Sequence, residues 1–229
     1  MPRQISEFFL FGDSHATAIA EAAKASNLPF KGGMLMSGRY MESQFYTLSD
    51  GRLIFPEEQF GSFLNSGHSD VLAYDGPILS TIGSNSWRFA KHFVEWEQSA
   101  RTSAFASEAL FNRCVLDHWT GSLSMYSDFE KYGHSVYIIL SPIRYSPKSR
   151  FHAVSRKYHA LVEEQMRALG HKVLNIDNEL YDKNGAIHSC FENQNNNDQA
   201  HGNVRWGNMV LGAFLKALND DSGAVREIA

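Results

Sequence analysis

Phe8-Phe9-Leu10-Phe11-Gly12-Asp13-Ser14-His15 is the stretch whose reading decides the fold. Four apolar residues in a row, with no polar alternation, make a short strand buried on both faces. A Gly-Asp-Ser turn follows at once, and Ala16, Ala18, Ile19, Ala20, Ala22 and Ala23 then read as a helix. A strand that turns directly into a helix leaves the turn at the carboxyl edge of a sheet. Ser14 then sits at a helix N-terminus, among N–H groups that the helix itself does not use. An oxyanion forming there meets the positive end of the helix dipole, which suits a nucleophile. The same place suits an ordinary N-cap serine, and this stretch by itself leaves both open.

Outward from it, the pattern predicts a strand over 7–11, a helix over 14–26 and a turn at Asn27-Leu28-Pro29. A second strand over 32–38 closes on Ser37-Gly38. Residues 44–55 read as a hairpin with Asp50-Gly51 as its turn, inserted as decoration on the main sheet. Two apolar runs, 70–74 and 77–82, are divided by Asp75-Gly76; one or both are strands. From 86 to 132 the spacing is mostly helical, with Phe89, Phe93 and Trp96 three to four residues apart, and Phe105, Leu110, Cys114 and Leu116 approximately so. Residues 135–140 form the clearest buried strand, a helix over 149–169 stops at Gly170, and 172–176 is a fifth sheet strand. A polar loop at 193–197 precedes a last helix over 202–218, and the residues from 219 read as a frayed tail. Alternating strands and helices predict a parallel sheet with helices on both faces and a site beyond the carboxyl strand ends. The chain reads as one domain over 1–229, with insertions at 39–68 and 87–132.

The 229 residues carry a formal net charge of −4 with basic residues scattered, which argues against a nucleic-acid partner. Cys114 and Cys190 read as two packed free thiols rather than a disulfide. No stretch approaches the roughly 18 apolar residues of a membrane span. Met1-Pro2-Arg3-Gln4 starts no secretory pattern, so the expected place is the cytoplasm.

A serine needs a base near neutral pH, and the base needs an orienting partner. Asp198-Gln199-Ala200-His201 stands before Gly202-Asn203 and the last helix. An Asp and a His three apart in a loop can face the same way. The carboxylate then holds one ring nitrogen and leaves the other to take the serine proton. Taken alone, the pattern reads equally as a loop aspartate and a helix-start histidine.

Together, Gly12-Asp13-Ser14-His15, Gly38, Gly83-Ser84-Asn85 and Asp198-Gln199-Ala200-His201 form an ordered set that resembles the SGNH, or GDSL, hydrolase family. The resemblance runs from Gly12 to His201. It implies Ser14 as nucleophile, His201 as general base and Asp198 as its orienting acid. The implied oxyanion hole is the N–H of Ser14, the N–H of Gly38 and the side-chain amide of Asn85. The implied fold is a three-layer α/β/α sandwich of flavodoxin-like type around a five-stranded parallel sheet. The implied chemistry is hydrolysis of carboxylic esters through an acyl-enzyme, with lipid, thioester or acetylated-sugar substrates in the family and no metal or other cofactor. The chain departs from the pattern at Ser86, where the family usually has Asp, and Gly33 is the alternative to Gly38. The same residues fit an acyltransferase, or an inactive module that binds a glycan or a partner. The G-x-S-x-G elbow of the α/β-hydrolases is absent, since Ala16 holds its last position.

His15 points about 100° away from Ser14 on a helix, so it is expected to line the site or pack beside it rather than act as base. His188 is the competitor to His201 for that role. Asp13 is expected to shape the turn and cap backbone donors. Trp87, next to the Asn85 block, either packs in the core or stacks on a sugar. His152 and His159 read as surface or half-buried helix residues.

Overall fold

A computed structural model describes residues 7–56, 67–83, 86–100, 107–192 and 202–224. Five parallel strands make the main sheet: β1 (Phe8–Gly12), β2 (Phe30–Met34), β5 (Ile78–Ser80), β6 (Val136–Ile139) and β7 (Lys172–Leu174), in the order β2-β1-β5-β6-β7. A separate antiparallel hairpin pairs β3 (Thr47–Ser49) with β4 (Arg52–Ile54). Asp50 and Gly51 both take positive φ at its tip, the twist that a two-residue Asp-Gly turn supplies. The helices are α1 (Ala16–Ala25), α2 (Ser86–Ser99), α3 (Glu108–His118), α4 (Thr120–Lys131), α5 (Arg150–Ala168), α6 (Asp177–Leu180) and α7 (Val204–Ala224).

The run Phe8-Phe9-Leu10-Phe11 is unbroken because both faces of β1 are covered. Phe8 and Leu10 point into one core with Ile19, Leu79, Trp206 and Phe214, between the sheet and α1 with α7. Phe9 and Phe11 point into the other, with Phe89, Tyr126, Phe129 and Tyr158 from α2, α4 and α5. The hairpin docks on that second side through buried Leu53 and Phe55, and Tyr46, just before it, donates to Asp128 at 2.7 Å. The result is the expected three-layer α/β/α sandwich with a five-stranded parallel sheet and a small added hairpin.

Several boundaries differ from the sequence reading. β2 spans Phe30–Met34 rather than 32–38, because it pairs in register with all of β1, Phe8 opposite Phe30 and Gly12 opposite Met34. The apolar run at 70–74 is not a strand but part of a 3₁₀ turn, His68–Ala73; its Val71 and Leu72 are buried by local curling. On α3 the buried positions are Phe111 and Val115, while Leu110 is exposed. The last helix does not end at 218: it continues to Ala224, and Asp221 is held by Tyr137 and Lys172 at the sheet edge. Both cysteines are free, Cys190 exposed and Cys114 half-buried. Among the described residues no helix is long and apolar enough to cross a membrane.

Strand order places β1 between β2 and β5. The chain goes from β1 to one neighbour and later returns to the other, so the strand order reverses between β1 and β5. In open parallel sheets the crevice beyond the carboxyl ends at such a reversal is where ligands bind. Ser14 and Gly83 follow the two strands that flank it.

Candidate active site

β1 ends on Gly12 because nothing larger fits. A Cβ there would lie 2.4 Å from the Ala16 Cβ and 2.5 Å from the Thr81 Oγ1. The turn can therefore fold back against the start of α1 and the end of β5. Asp13 is fully buried and organises that turn. Its N–H donates to the Thr81 hydroxyl at 3.0 Å, and that hydroxyl donates back to Asp13 Oδ1 at 2.9 Å. The same oxygen accepts from the His15 N–H at 2.9 Å and lies 3.1 Å from His15 Nδ1. Asp13 thus shapes the turn and caps a backbone donor just ahead of α1, as its sequence position suggested. Burial works to raise its carboxyl, but the adjacent His15, its ring and backbone hydrogen bonds, and the Thr81 hydroxyl outweigh that and hold it below the ordinary value. Ser14 is half-buried at the crest of this turn, spanned by the bond from the Ala16 N–H to the Asp13 carbonyl at 3.0 Å.

His15 lies beneath the turn, not at its mouth. It is 3 % exposed, and its ring meets the Trp206 indole edge-on with centroids 6.1 Å apart.

The loop after β5 forms the next wall. Ser80 donates to Tyr126 Oη at 2.8 Å, and Tyr126 donates onward to the Ile82 carbonyl at 2.9 Å. Gly83 has φ +83°, and a Cβ on it would lie 2.0 Å from the Trp119 indole nitrogen. Its carbonyl accepts from Tyr158 at 3.1 Å. Three residues on, α2 begins with buried Ser86. Asn85 lies between these anchors and outside the described residues. Trp87, in the first turn of α2, is 42 % exposed, so it is not the core residue that its sequence also suggested.

Beyond β2, the Leu35 N–H still donates to the Gly12 carbonyl at 2.7 Å, which keeps the two strand ends together. Gly38 is buried and opens the short 3₁₀ turn Gly38–Tyr40, whose first N–H has no acceptor within the turn. Glu42 Oε1 is 2.7 Å from Arg88 Nε, tying this segment to the first turn of α2. Tyr40, beside Gly38, is exposed like Trp87. The alternative glycine, Gly33, sits inside β2 opposite Phe11, with its carbonyl bonded to His68 at 3.2 Å.

Asp198 and His201 lie outside the described residues. The two ends of their loop do not: Glu192 and Gly202 form an antiparallel bridge. Asn203 buckles that bridge. Its amide donates to the carbonyls of Cys190 and Glu192 at 2.8 and 3.0 Å, and its Oδ1 accepts from the N–H groups of Arg205 and Trp206 at 3.0 and 3.2 Å. Asn203 is therefore the N-cap of α7 and the closure of the loop at once. A Cβ on Gly207 would lie 2.2 Å from the Ala18 carbonyl, so α7 crosses α1 in close backbone contact beside the Ser14 turn. The competitor His188 is exposed, its ring near Phe191.

Two residues that organise the site were not singled out in the sequence. Thr81 stands 68 positions from the carboxylate it serves, and no local pattern marks it. Asn203 did carry a signal: a capping residue just before an apolar helical run. Among the described residues, no three His, Cys, Asp or Glu side chains are grouped to hold a metal ion. A cavity of about 250 Å³ opens at the other end of the same edge, lined by Ser141, Arg156, His159 and Asp177 beside β6 and β7.

No family model matches this sequence, and none of the curated proteins matches it. Solved structures do resemble the fold. An extracellular lipase from Streptomyces rimosus superposes with a TM-score of 0.52 at 12 % identity, over 94 % of this chain and 99 % of that one. An α/β hydrolase enzyme from the metagenome of Lake Arreo, Spain, gives 0.51 at 13 % identity, over 95 % and 97 %. At these identities the likeness is one of fold, and it extends over nearly the whole of each chain.

Proposed function

We propose that this chain is a serine hydrolase of the SGNH, or GDSL, type that cleaves carboxylic esters through an acyl-enzyme on Ser14. The observation that carries the reading is the place of Ser14: a half-buried hydroxyl in the turn between β1 and α1, where the strand order reverses. The fold likeness to a lipase and a hydrolase agrees with it.

In this reading His201 removes the Ser14 proton as the hydroxyl attacks the ester carbonyl, and Asp198 holds the other ring nitrogen. The closure of the loop by Asn203 and the docking of α7 on α1 support it, since residue 201 is followed directly by Gly202 and Asn203. The tetrahedral oxyanion takes hydrogen bonds from the N–H groups of Ser14 and Gly38 and from the Asn85 amide. His201 then protonates the leaving alcohol, water adds to the acyl-enzyme, and the carboxylic acid departs. Trp87 and Tyr40 offer exposed ring faces near that mouth, which suits an alcohol carried on a sugar.

Labelling by a fluorophosphonate tests the reading. One adduct on Ser14 and none in Ser14→Ala is expected. Hydrolysis of a short p-nitrophenyl ester should fall about 10³- to 10⁶-fold in that variant. Activity should rise through about pH 6 to 7 as the base loses its proton. Undiminished turnover in Ser14→Ala removes the reading.

A further inference from the structure

We propose that His15 is a positioning residue whose imidazole joins the Ser14 turn to the first turn of α7, and so holds the serine in register with the loop that leads into that helix. The consequence for catalysis rests on the serine-hydrolase reading; the joint itself rests on contacts among described residues.

A buried imidazole is expensive unless its nitrogens are used. His15 is buried directly after the half-buried Ser14, where an apolar side chain would pack at no such cost. Its Nδ1 faces Asp13 Oδ1 at 3.1 Å. Asp13 is held ionised and can only accept, so the hydrogen-bond network assigns the proton to Nδ1. All of the donors to that carboxylate converge on Oδ1; the buried Oδ2 has none. Losing the imidazole donor leaves this buried carboxylate with two donors on Oδ1 and none on Oδ2. Any shift of the carboxylate toward another donor pulls on the turn that its hydrogen bonds hold, and Ser14 is part of that turn.

The other side of the joint is equally fixed. Trp206 is fully buried, its backbone N–H donates to the Asn203 side-chain oxygen, and Gly202 packs on its ring: a Cβ there would lie 2.6 Å from the indole. The His15 ring thus bridges a carboxylate one residue before the serine and an indole five residues after His201. A displacement of about 1 Å at a reacting group costs on the order of 10²-fold in rate.

Two conservative variants separate this from a filling role. Asparagine places an amide nitrogen where His15 Nδ1 stands; glutamine reaches the Nε2 position instead. His15→Gln is expected to lower kcat and the fluorophosphonate labelling rate by about 10- to 100-fold, with KM within about threefold. His15→Asn should recover most of that loss. Amide hydrogen exchange gives a readout independent of activity: in His15→Gln, exchange should quicken both at residues 14–17 and at 203–208, and less in His15→Asn. Equal behaviour of the two variants, or exchange that quickens in neither segment, overturns the proposal. A wild-type protein that takes no fluorophosphonate while His15→Gln loosens both segments sinks the hydrolase reading and leaves the joint standing.

Discussion

Ser14 owes its surroundings to two neighbours with no freedom to change. Gly12 allows the close approach of α1 and β5, and Thr81 bridges the N–H and the carboxylate of Asp13. Thr81→Val keeps the shape and deletes the hydroxyl. One buried N–H and one buried carboxylate then lose a partner, at about 1–3 kcal/mol for such a group. Urea denaturation should show a loss of that order, together with reduced ester turnover. Gly83 is bound more tightly still. An alanine there adds a left-handed backbone penalty of about 1–2 kcal/mol to a clash with Trp119 that only movement relieves. Gly83→Ala should therefore cost more stability than Thr81→Val in the same experiment. Trp87 is the contrast. Its side chain is exposed, so Trp87→Ala should leave stability within about 0.5 kcal/mol, and any effect should fall on KM. The local job of Asp13 was legible in Gly-Asp-Ser followed by a helix. Its partner Thr81 was not, because sequence spacing says nothing about a contact that two adjacent strands create.

Among elements, the pattern spoke most clearly where period and punctuation agreed. β1, β6 and α5 each have a buried run or period closed by a turn residue, and the hairpin is marked by its Asp50-Gly51 turn. The run at 70–74 stayed ambiguous beside 77–82 because a few apolar residues fit a strand and a 3₁₀ turn equally well. The end of α7 misled for another reason: Asn219, Asp220 and Asp221 look like a stop, yet Asp221 is recruited by Lys172 and Tyr137 across the sheet. The crossing of α1 and α7 has a test at Gly207. In an exposed helix, Gly→Ala gains about 0.5–1 kcal/mol. Here the added methyl would meet the Ala18 carbonyl at 2.2 Å, and overpacking costs about 1–3 kcal/mol. The second effect wins, so Gly207→Ala should lower the thermal midpoint, and a rise would show that the two helices part freely.

The molecule as a whole carries several buried and half-buried histidines. Burial, helped by Arg88 and His92, pushes His118 down to about 4; burial, helped by Arg156 and His152, pushes His159 down to about 3. Burial lowers His68 and His171 as well, against the hydrogen bonds each ring makes to a backbone carbonyl. A histidine with a depressed folded value is protonated first in the unfolded chain. Its contribution is complete above the unfolded value of about 6.5 and drains away as pH falls toward the folded one. Stability should therefore decline steadily from pH 6.5 to 4, ahead of any loss from Asp13, whose lowered carboxyl matters only below about pH 4. Urea midpoints taken at pH 7.5, 5.5 and 4.5 check this, and His118→Gln should flatten the slope. A level profile would contradict the burial of these rings. The sequence reads His152 as surface or half-buried, yet it is buried at 8 % exposure; only packing decides which of the ten histidines lose water.

By itself the sequence determined the strand-turn-helix at Gly12-Asp13-Ser14, the alternation that makes a parallel layered sheet, and the hairpin turn. Each of these is written within about a dozen residues, in hydrophobic period and in the few residue types that a tight turn accepts. The tertiary structure alone decided that β1 lies between β2 and β5, that Thr81 reaches Asp13, and that Trp206 closes on His15. Those contacts join segments up to 191 positions apart. They form because whole faces must be buried together, and no short stretch of chain contains that requirement.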